Sequence, residues 1–577
     1  MRPRFSDLLS IDTFYRRLAN VEALPQLVIL AIGVGLFTGA VIICFRLCID
    51  WPLRYLLSGH PHRFEALAME PRVALTLGGA VVIGLMMQWL SPADRRVGVL
   101  HVMERLSLHQ GHLPLRNAVL QFTGVIIALI SGQSGGREGP AVHLGAATAS
   151  GIGHVFRLPN NSRRTLLACG VAAAVASSFN TPIAGVIFAM EVVMMEYSIA
   201  SFLPVIVAAV TSTFLTQYVF GDQPAFEVTR ADLASLAELP FIVLVGVVTG
   251  CVAAAFIYLV QWFASLRHWA FFTRALAAGS LTAGAGIVAP EVLGIGYDTV
   301  NGAMAGSFAV ATLLVIAVLK TVCSAASVGL GMPVGLIGPT FVIGAALGGA
   351  FGIMGQQFGD GSTVALYVML GMAAMMAAVL QAPLAALMAV MEMTANPRII
   401  PPAMLIIVVA TLMVSQVFRL KSVFLGTLNT LGLDYPPSPV KLHLQRAGVM
   451  AIMERRFVRT APQVTRSEAR RLLENKPRWV VLEDTENVHC ILNAADLAAF
   501  LETQPERSDT INLLRIPGQR FDVVAIDARA TVQEAQQAIA ESSAEACLVR
   551  RLTAPMIRPV VGIITEEEIN GYRSEID

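Results

Sequence analysis

The feature that most constrains the fold of this chain is a succession of long segments without charged side chains between residues 27 and 420. Many of them approach the roughly 20 residues that a helix needs to cross the hydrocarbon core of a bilayer. Clear examples are residues 73–90, 199–220 and 241–260, and a shorter segment at 308–319 ends at Lys320. Because lipid offers the backbone no hydrogen bonds, such segments cross it as helices. We therefore predict a mainly α-helical protein that spans a membrane several times.

Composition agrees with this class and excludes others. Hydrophobic residues make up 55% of the chain and charged residues 14%, and the mean hydropathy is +0.65, whereas soluble globular domains are more polar. The formal net charge of +1 argues against a nucleic-acid partner, because phosphate binding requires a concentrated basic face. The seven cysteines have neither CxxC nor metal-ligand spacing, so no disulfide framework and no metal site are expected. The predicted partner is the lipid bilayer.

The two ends of the chain differ from this membrane part. Residues 1–25 spread their arginines along an amphipathic stretch, which predicts a surface helix that the positive-inside rule assigns to the cytoplasm. After a proline-rich stretch, charged residues become frequent and apolar runs shorten to strand length. We therefore predict a membrane domain over 26–434, a linker over 435–446 and an α/β domain over 447–577. Both termini then lie on the cytoplasmic side of the cell membrane.

The membrane part contains an internal repeat. The stretch "GPAVHLGAA" at 139–147 returns as "GPTFVIGAA" at 338–346, and "TPIAGVIFAME" at 181–191 returns as "APLAALMAVME" at 382–392. Both pairs keep the same order and are offset by about 200 residues, which indicates duplicated structural halves. We place these halves at about 26–222 and 238–434. Transporters built in this way bind their substrates where hydrophobic segments are interrupted.

Each Gly-Pro of the repeat predicts the start of a helix. Proline suits the first helical position, and glycine lets another backbone approach closely. A helix N-terminus carries roughly half a positive charge, so two such ends near the bilayer midplane form an anion site without a cationic side chain. The alternative is that the glycines only permit close helix packing in lipid. The repetition favours the anion site, and Arg137 and Glu138 lie directly at the first Gly-Pro.

These motifs resemble the CLC family of chloride channels and proton-coupled chloride exchangers. The resemblance rests on "GREGP" at 136–140, "GLIGP" at 335–339, "FNTPIAG" and "QAPLAA", and it covers the membrane part. The tail is similar to the paired CBS modules of some members. The resemblance implies a homodimer with one separate pore per subunit and an inverted-repeat bundle of tilted and broken helices. The second motif is looser, since the family usually has Phe and Ala at Ile337 and Gly338.

By this resemblance Glu138 is the gating glutamate, whose carboxylate competes with the anion for its own pore. The physics agrees, because a carboxylate at a helix N-terminus is held by the amides that would hold an anion. The alternative is a glutamate that only satisfies the helix end. Arg137 then neutralises a neighbour or anchors the loop.

Two positions depart from the family pattern around the anion. The family has a serine where this chain has Val97, in "RVGVL", and a tyrosine where it has Phe424, in "KSVFLGTL". Backbone N–H groups and the positive edge of the Phe424 ring are then left to face the anion. Each lost hydroxyl costs about 1–3 kcal/mol unless water replaces it, so fluoride or nitrate is an alternative to chloride. The predicted anion-binding residues are Val97, Gly98, Val99, Gly136, Arg137, Gly139, Ile337, Gly338 and Phe424.

A third departure concerns protons. Exchangers of the family generally carry a second, inward glutamate directly after the position of Glu191, where this chain has Val192. Because valine cannot relay a proton, the sequence favours a passive channel, with a proton-coupled antiporter as the alternative. For a proton path, the candidates are Glu191 and Glu196, the latter expected one helical turn beyond Val192 on the same face. For Glu191 and its repeat counterpart Glu392, a structural role is favoured.

The tail offers two candidate ribose-binding pairs. In CBS modules a strand leads into a small polar residue and an acid three positions later, here Asn493 with Asp496 and Thr565 with Glu568. The same pattern is also a helix N-cap with an acid in the first turn. Adenine-nucleotide binding at the tail is therefore a hypothesis, and no other cofactor is expected.

Other function classes lack their residues. An intramembrane enzyme needs a nucleophile with a base, or metal ligands such as HExxH, and the sequence has neither constellation, so we predict that the protein is not an enzyme. A cation transporter is disfavoured because helix N-termini attract anions. His143, one turn inside the helix that Pro140 opens, is expected to be packed or hydrogen-bonded rather than to bind a ligand.

Overall fold

The structure is a computed structural model that describes residues 24–57, 63–197, 199–222, 226, 233–357, 362–433, 439–484, 488–503, 510–551 and 559–574. The chain forms two compact units. The membrane unit consists of Leu27–Phe156 and Arg164–Pro436, and the tail unit includes Arg157–Arg163 and Pro437–Asp577. The helix predicted for residues 1–25 lies outside the described residues, except that residues 24 and 25 begin the first membrane helix.

Among the described residues, the membrane unit contains two sets of eight α-helices and one final α-helix. The first set is α1 (Leu24–Leu56), α2 (Met69–Gln88), α3 (Gly98–Leu108), α4 (Leu115–Ile130), α5 (Glu138–Val155), α6 (Asn160–Phe179), α7 (Pro182–Phe188) and α8 (Ile199–Phe220). The second set is α9 (Leu239–Ser265), α10 (Phe271–Val288), α11 (Tyr297–Met304), α12 (Val310–Gly329), α13 (Ile337–Gln356), α14 (Val364–Leu380), α15 (Pro383–Thr394) and α16 (Ile400–Leu412), followed by α17 (Val423–Thr430). Each helix of the second set begins about 200 residues after its counterpart, as the repeat predicts.

Eight helices among the described residues are long and apolar enough to cross a membrane. The predicted spans at 73–90, 199–220 and 241–260 coincide with α2, α8 and α9. The uncharged segment that ends at Lys320 belongs to α12, which continues past this residue to Gly329. The Lys320 ammonium is buried within the bundle and donates to the carbonyl oxygens of Val292 (2.9 Å) and Gly294 (2.8 Å).

Two short helices open at prolines in equivalent places of the halves. Pro182 and Pro383 occupy the first turns of α7 and α15, where a missing N–H costs no helical hydrogen bond. The helix that begins as α7 continues as a π-helical turn over Ala189–Met194 and ends at Met195, whose φ of 52° is left-handed. The prediction that Glu196 lies on one helix face with Val192 is therefore wrong, because the left-handed residue turns the chain before Glu196 is reached.

Glycines bring neighbouring helices into backbone contact. A Cβ on Gly145 of α5 would overlap the carbonyl oxygen of Gly170 on α6. The equivalent helices of the second half repeat the arrangement, since a Cβ on Gly344 of α13 would overlap the carbonyl oxygen of Gly371 on α14. Close packing by small residues, the alternative weighed for the Gly-Pro motifs, thus operates further along the same helices.

The tail unit consists of two α/β modules, which follow the helices α18 (Pro439–Arg446) and α19 (Val449–Ile452). The first module contains β1 (Phe457–Thr460), β2 (Gln463–Thr465), α20 (Arg466–Glu474), β3 (Trp479–Glu483), β4 (Val488–Asn493), α21 (Ala494–Thr503), β5 (Thr510–Asn512) and β6 (Arg520–Phe521). The second contains β7 (Val523–Asp527), α22 (Val532–Ser542), β8 (Ala546–Arg550), β9 (Val560–Thr565) and α23 (Glu566–Ser574). The α/β tail that the sequence predicts is confirmed.

The two modules share a topology. In the first, the sheet order is β1-β3-β4-β6, with β1 and β3 parallel and the other pairs antiparallel. In the second, the order is β7-β8-β9, with β7 and β8 parallel and β8 and β9 antiparallel. The first module also contains a separate antiparallel pair, β2 and β5. One hydrophobic cluster, containing Trp479 and Leu548, joins the two sheets. The stretch expected to be a linker, 435–446, contains α18, and Leu444 is buried in the core of the second module.

Candidate functional site

The two Gly-Pro helices meet at a short antiparallel bridge. The N–H groups of Gly136 and Gly335 each donate to the other residue's carbonyl oxygen at 2.7 Å. A Cβ on Gly335 would lie 2.7 Å from the nitrogen of Gly139, so this approach requires glycine. The bridge therefore holds the N-termini of α5 and α13 side by side, as expected for an anion site made by two helix ends.

The Glu138 carboxylate occupies the N-terminus of the opposite helix. Glu138 begins α5 and is fully buried, and its Oε2 accepts from the Gly338 N–H of α13 at 3.1 Å. Its Oε1 accepts from the Tyr297 hydroxyl at 2.5 Å. A carboxylate seated on a helix N–H takes the place that a small anion would take there. The geometry therefore fits a carboxylate that competes with an anion for one site.

Tyr297 is a site residue that the sequence analysis missed. It begins α11, directly after Gly296, whose φ of 87° turns the chain into the helix. Its ring packs edge-on against Phe226, with ring centroids 5.8 Å apart. The repeat contained a usable signal, because the offset that pairs Glu138 with Ile337 also pairs Gly98 with Tyr297. The first turns of α3 and α11 are therefore counterparts, and both lie close to the start of α5.

The Arg137 side chain turns away from the anion position. Its Nη1 lies 3.7 Å from Asp50 Oδ1, its Nη2 donates to the Ser178 carbonyl oxygen at 3.4 Å, and its Cζ lies 5.5 Å from the Tyr297 ring centroid. The guanidinium is buried and engaged by a carboxylate, a carbonyl and an aromatic face. This placement fits the role of an anchor for the loop between α4 and α5.

The remaining predicted anion ligands lie at helix N-termini. Val97 precedes α3 in an extended conformation, and Gly98 begins that helix with a φ of 79°. Val99 is buried near α5, 3.8 Å from where a Gly139 Cβ would lie. Phe424 is buried in the first turn of α17, a helix that contacts α3. The helices that present these residues, α3, α5, α13 and α17, are thus linked by contacts.

The two repeated glutamates cap each other's helices. Glu191 accepts from the N–H groups of Leu384 (3.3 Å) and Ala385 (2.7 Å) in the first turn of α15. Glu392 accepts from those of Ile183 (3.0 Å) and Ala184 (2.8 Å) in the first turn of α7. A carboxylate on the unpaired amides of a helix N-terminus stabilises that helix. The geometry thus assigns both side chains a capping role across the repeat.

The four tail candidates lie at the starts of two equivalent helices. Asn493 Oδ1 accepts from Ala495 N at 3.0 Å, and Asp496 Oδ2 accepts from Gln519 N at 3.2 Å. In the second module, Glu568 Oε2 accepts from Thr565 N at 2.8 Å and from the Thr565 hydroxyl. Both acids are therefore hydrogen-bonded within the chain, Glu568 to its N-cap residue Thr565 and Asp496 to Gln519, and a nucleotide ribose would compete with these bonds.

Comparisons with known proteins agree with this architecture. Residues 78–415 match the family model described as voltage gated chloride channel. A putative chloride channel protein ClcB-like of Ralstonia nicotianae is 31% identical over 380 residues, which cover 63% of this chain and 87% of that protein. The H(+)/Cl(-) exchange transporter ClcA of Yersinia pestis bv. Antiqua (strain Angola) is 28% identical over 412 residues, 69% of this chain and 86% of that protein.

The fold also matches a solved structure. A slow cyanobacterial Cl-/H+ antiporter superposes with a TM-score of 0.63 at 22% sequence identity, and the match covers 70% of this chain and 98% of that one. At this identity the likeness concerns the fold.

Proposed function

This chain belongs to the voltage-gated chloride channel (CLC) family, and from that premise we propose that it exchanges chloride for protons, with Glu138 as the gate. It is a chloride transporter of the CLC type. The passive channel that Val192 favours in the sequence gives way to exchange, because a relative that matches 69% of this chain is named an H(+)/Cl(-) exchange transporter. One proton and one anion then share the same gate.

The observation that carries the proposal is the Glu138 carboxylate on the Gly338 N–H, 3.1 Å away. While charged, the carboxylate holds the positive end of α13 and keeps an anion out. When a proton binds one carboxylate oxygen, the negative charge is lost and the attraction to the Gly338 N–H weakens. Chloride then occupies the helix end, and Glu138 returns once it releases its proton on the other side. Proton binding and anion entry are coupled because they alternate at one N–H group.

Flux from liposomes tests the exchange. Chloride efflux and external pH are recorded together under a clamped membrane potential for the wild type and for Glu138→Ala. We expect potential-driven, uphill proton uptake with chloride efflux in the wild type, and chloride flux without proton movement in the variant. Chloride flux without proton movement in the wild type would instead establish a passive channel. The same vesicles with nitrate and fluoride determine the anion, since Val97 and Phe424 offer it no hydroxyl.

The assembly and orientation are part of the proposal. We propose a homodimer in the cell membrane with both termini in the cytoplasm. The family resemblance supports the dimer. Arg157, Arg163 and Arg164 between and at the ends of α5 and α6 support a cytoplasmic position for that connection.

For the tail we propose a pair of CBS-like modules that bind an adenine nucleotide. Their shared strand order and the equivalent pairs Asn493 with Asp496 and Thr565 with Glu568 support this assignment. Calorimetric titration of the purified tail with ATP, ADP and AMP at millimolar concentration tests it. Binding heat that disappears in Glu568→Ala is the expected result, and no heat with any of the three would remove nucleotide binding.

A further inference from the structure

A buried pair of histidines lies close to the gate. His101 Nδ1 and His143 Nε2 are 3.1 Å apart, and their ring centroids are 5.2 Å apart. His101 is 4% exposed and His143 is fully buried. The second ring nitrogen of His143, Nδ1, is buried and has no hydrogen-bond partner among the residues that the structure describes. A buried polar atom left without a partner costs stability, so a pair of this kind requires an explanation.

The pair lies one turn inside two of the helices that border the anion site. His101 is on α3, three residues after Gly98, and His143 is on α5, five residues after Glu138. At 1.5 Å per residue, the backbone of His143 is about 7.5 Å along the helix axis from that of Glu138, a span that a short chain of water molecules covers. α3 also contacts the π-helical turn that contains Val192. The histidines thus lie about one turn from the gate, and one of them is on a helix that contacts the turn where Val192 stands in place of a proton-relaying glutamate.

Imidazole is suited to proton transfer in this place, because one of its two nitrogens can accept a proton on one side while the other releases one on the opposite side. If His101 Nδ1 donates to His143 Nε2, a proton that binds His101 Nε2 lets the shared proton cross to His143. The Nδ1–H bond of His143 then breaks and releases a proton to water. One N–H bond forms and one breaks on each ring, so one proton enters and one leaves without any redox partner.

Three basic groups on α3 and at its two ends act on His101 electrostatically. They are Arg105 within the helix, Arg96 before it and His109 directly after it. Arg96 is ion-paired with Glu104, and Arg105 Nε donates to the His112 carbonyl oxygen at 2.6 Å. On the α5 side the titratable neighbour of His143 is His101, and Glu191 of the π-helical turn is engaged as a cap on α15. The two neighbouring acids are therefore engaged by other groups, whereas the two imidazoles bond each other.

We infer that the His101–His143 pair passes the exchanged proton between Glu138 and the cytoplasmic side, at the point where Val192 replaces an acid. The inference rests on the proposed chloride/proton exchange. It makes the two histidines catalytic residues for proton movement and leaves the anion path to the helix N-termini.

The test uses the full-length protein in liposomes, with chloride flux and pH recorded together. His143→Gln and His101→Gln keep a hydrogen-bonding side chain of similar length but cannot carry a proton. We expect proton transport to fall by about tenfold or more in each, while chloride flux persists. The matched controls are His112→Gln and His154→Gln. These two histidines are exposed, their ring centroids are 5.8 Å apart, and they lie beyond α3 and near the end of α5. Both variants should keep the proton-to-chloride coupling of the wild type.

A second variant separates proton transfer from packing. Val192→Glu in the His143→Gln background should restore proton transport, because it adds an acid beside α3, whereas a purely structural role of His143 would not be rescued in this way. Chloride flux in the same vesicles shows that a variant is folded. If one glutamine variant loses chloride flux, the proton transport of the other variant tests the inference. A wild type that exchanges protons, with glutamine variants that keep its proton-to-chloride ratio, would overturn the inference and leave the exchange standing. A wild type that moves no protons would contradict the exchange itself.

Discussion

At the scale of single residues, one carboxylate with two donors forms the proposed gate. Gly338 contributes a backbone N–H and Tyr297 a phenol hydroxyl, and both hold Glu138 at the proposed anion position. A hydroxyl is thus present near the site although Val97 and Phe424 lack one. It stabilises the seated carboxylate, and so the state without an anion.

Replacing Tyr297 by phenylalanine should open the gate more often. The change removes the donor to Glu138 Oε1 and keeps the ring that packs on Phe226. A buried hydrogen bond to a charged group is worth about 1.5–3 kcal/mol, so we expect chloride flux at pH 7 to rise by about tenfold or more. Liposome efflux measures it. Tyr367→Phe is the matched control, since Tyr367 donates to Glu238 at 2.7 Å, and equal flux in the wild type and Tyr297→Phe would contradict the prediction.

A second residue makes the tail sensitive to acid. The Arg456 side chain, helped by the N–H groups of Arg455 and Arg456, lowers the pKa of Glu454 from 4.5 to about 2. A lowered pKa stabilises the fold at pH values above 4.5, and this stabilisation is lost as the pH falls towards 2.

We therefore expect Glu454→Gln to lower the unfolding temperature of the tail at pH 7 and to have little effect near pH 2. Thermal unfolding of residues 437–577, followed by the fluorescence of Trp479, gives both values. Glu474→Gln, an exposed site at the end of α20, serves as the control. A difference between Glu454→Gln and the wild type that is the same at both pH values would show that the charge is not its cause.

At the scale of helices, the two repeats stabilise each other by exchanging caps. Glu191 of the first half caps α15, and Glu392 of the second half caps α7. The symmetry explains why both halves keep a glutamate at the same place. Substitution of Glu191 distinguishes its two possible roles: loss of a cap lowers stability, whereas loss of a proton-path residue lowers proton transport.

We expect Glu191→Gln and Glu392→Gln to destabilise the protein similarly and to keep proton coupling. Each loses a carboxylate charge at a helix N-terminus, which is worth about 1 kcal/mol. Thermal unfolding in detergent and coupled flux in liposomes are measured on the same preparations. A Glu191→Gln variant with unchanged stability and lost proton transport would place Glu191 in the proton path after all.

The contact between α5 and α6 at Gly145 should tolerate no side chain. Gly145 faces the backbone of Gly170, and any side chain there meets a carbonyl that cannot move without shifting α6. We expect Gly145→Ala to reduce the yield of monodisperse protein in detergent severely. Gly151→Ala on the same helix has open space around its Cβ and should behave as the wild type. Equal yields would mean that α5 and α6 can separate at no cost.

At the scale of the whole molecule, the membrane unit is a duplicated bundle whose halves meet at Gly136 and Gly335. The proposed homodimer would place one such unit, with its own gate, in each subunit. We expect the detergent-solubilised protein to show a protein mass of about twice the 61.6 kDa of one chain by light scattering. The mass of a single chain at every detergent concentration would contradict the dimer. Chemical crosslinking in native membranes checks the same state before extraction.

Much of the membrane fold could be predicted because its signals are local. The hydropathy of α2, α8 and α9, the prolines that open α7 and α15, and the repeated Gly-Pro pairs act within one helix or one turn. Two features that the sequence did not reveal have the opposite cause. The burial of Lys320 depends on two distant carbonyl oxygens that accept from its ammonium, and the position of Glu196 depends on one left-handed residue, Met195.

The sequence by itself determined the class of protein, the duplication, the helix ends that can hold an anion and the glutamate among them, because each follows from hydropathy, from glycine and proline, or from a repeated motif. Only the tertiary structure decided which groups meet there. Tyr297 reaches Glu138 across 159 positions, Glu191 reaches Ala385 across 194, and His101 reaches His143 across 42. Such pairs form when separate helices pack, and the packing depends on the summed contacts of the whole bundle rather than on either residue of the pair.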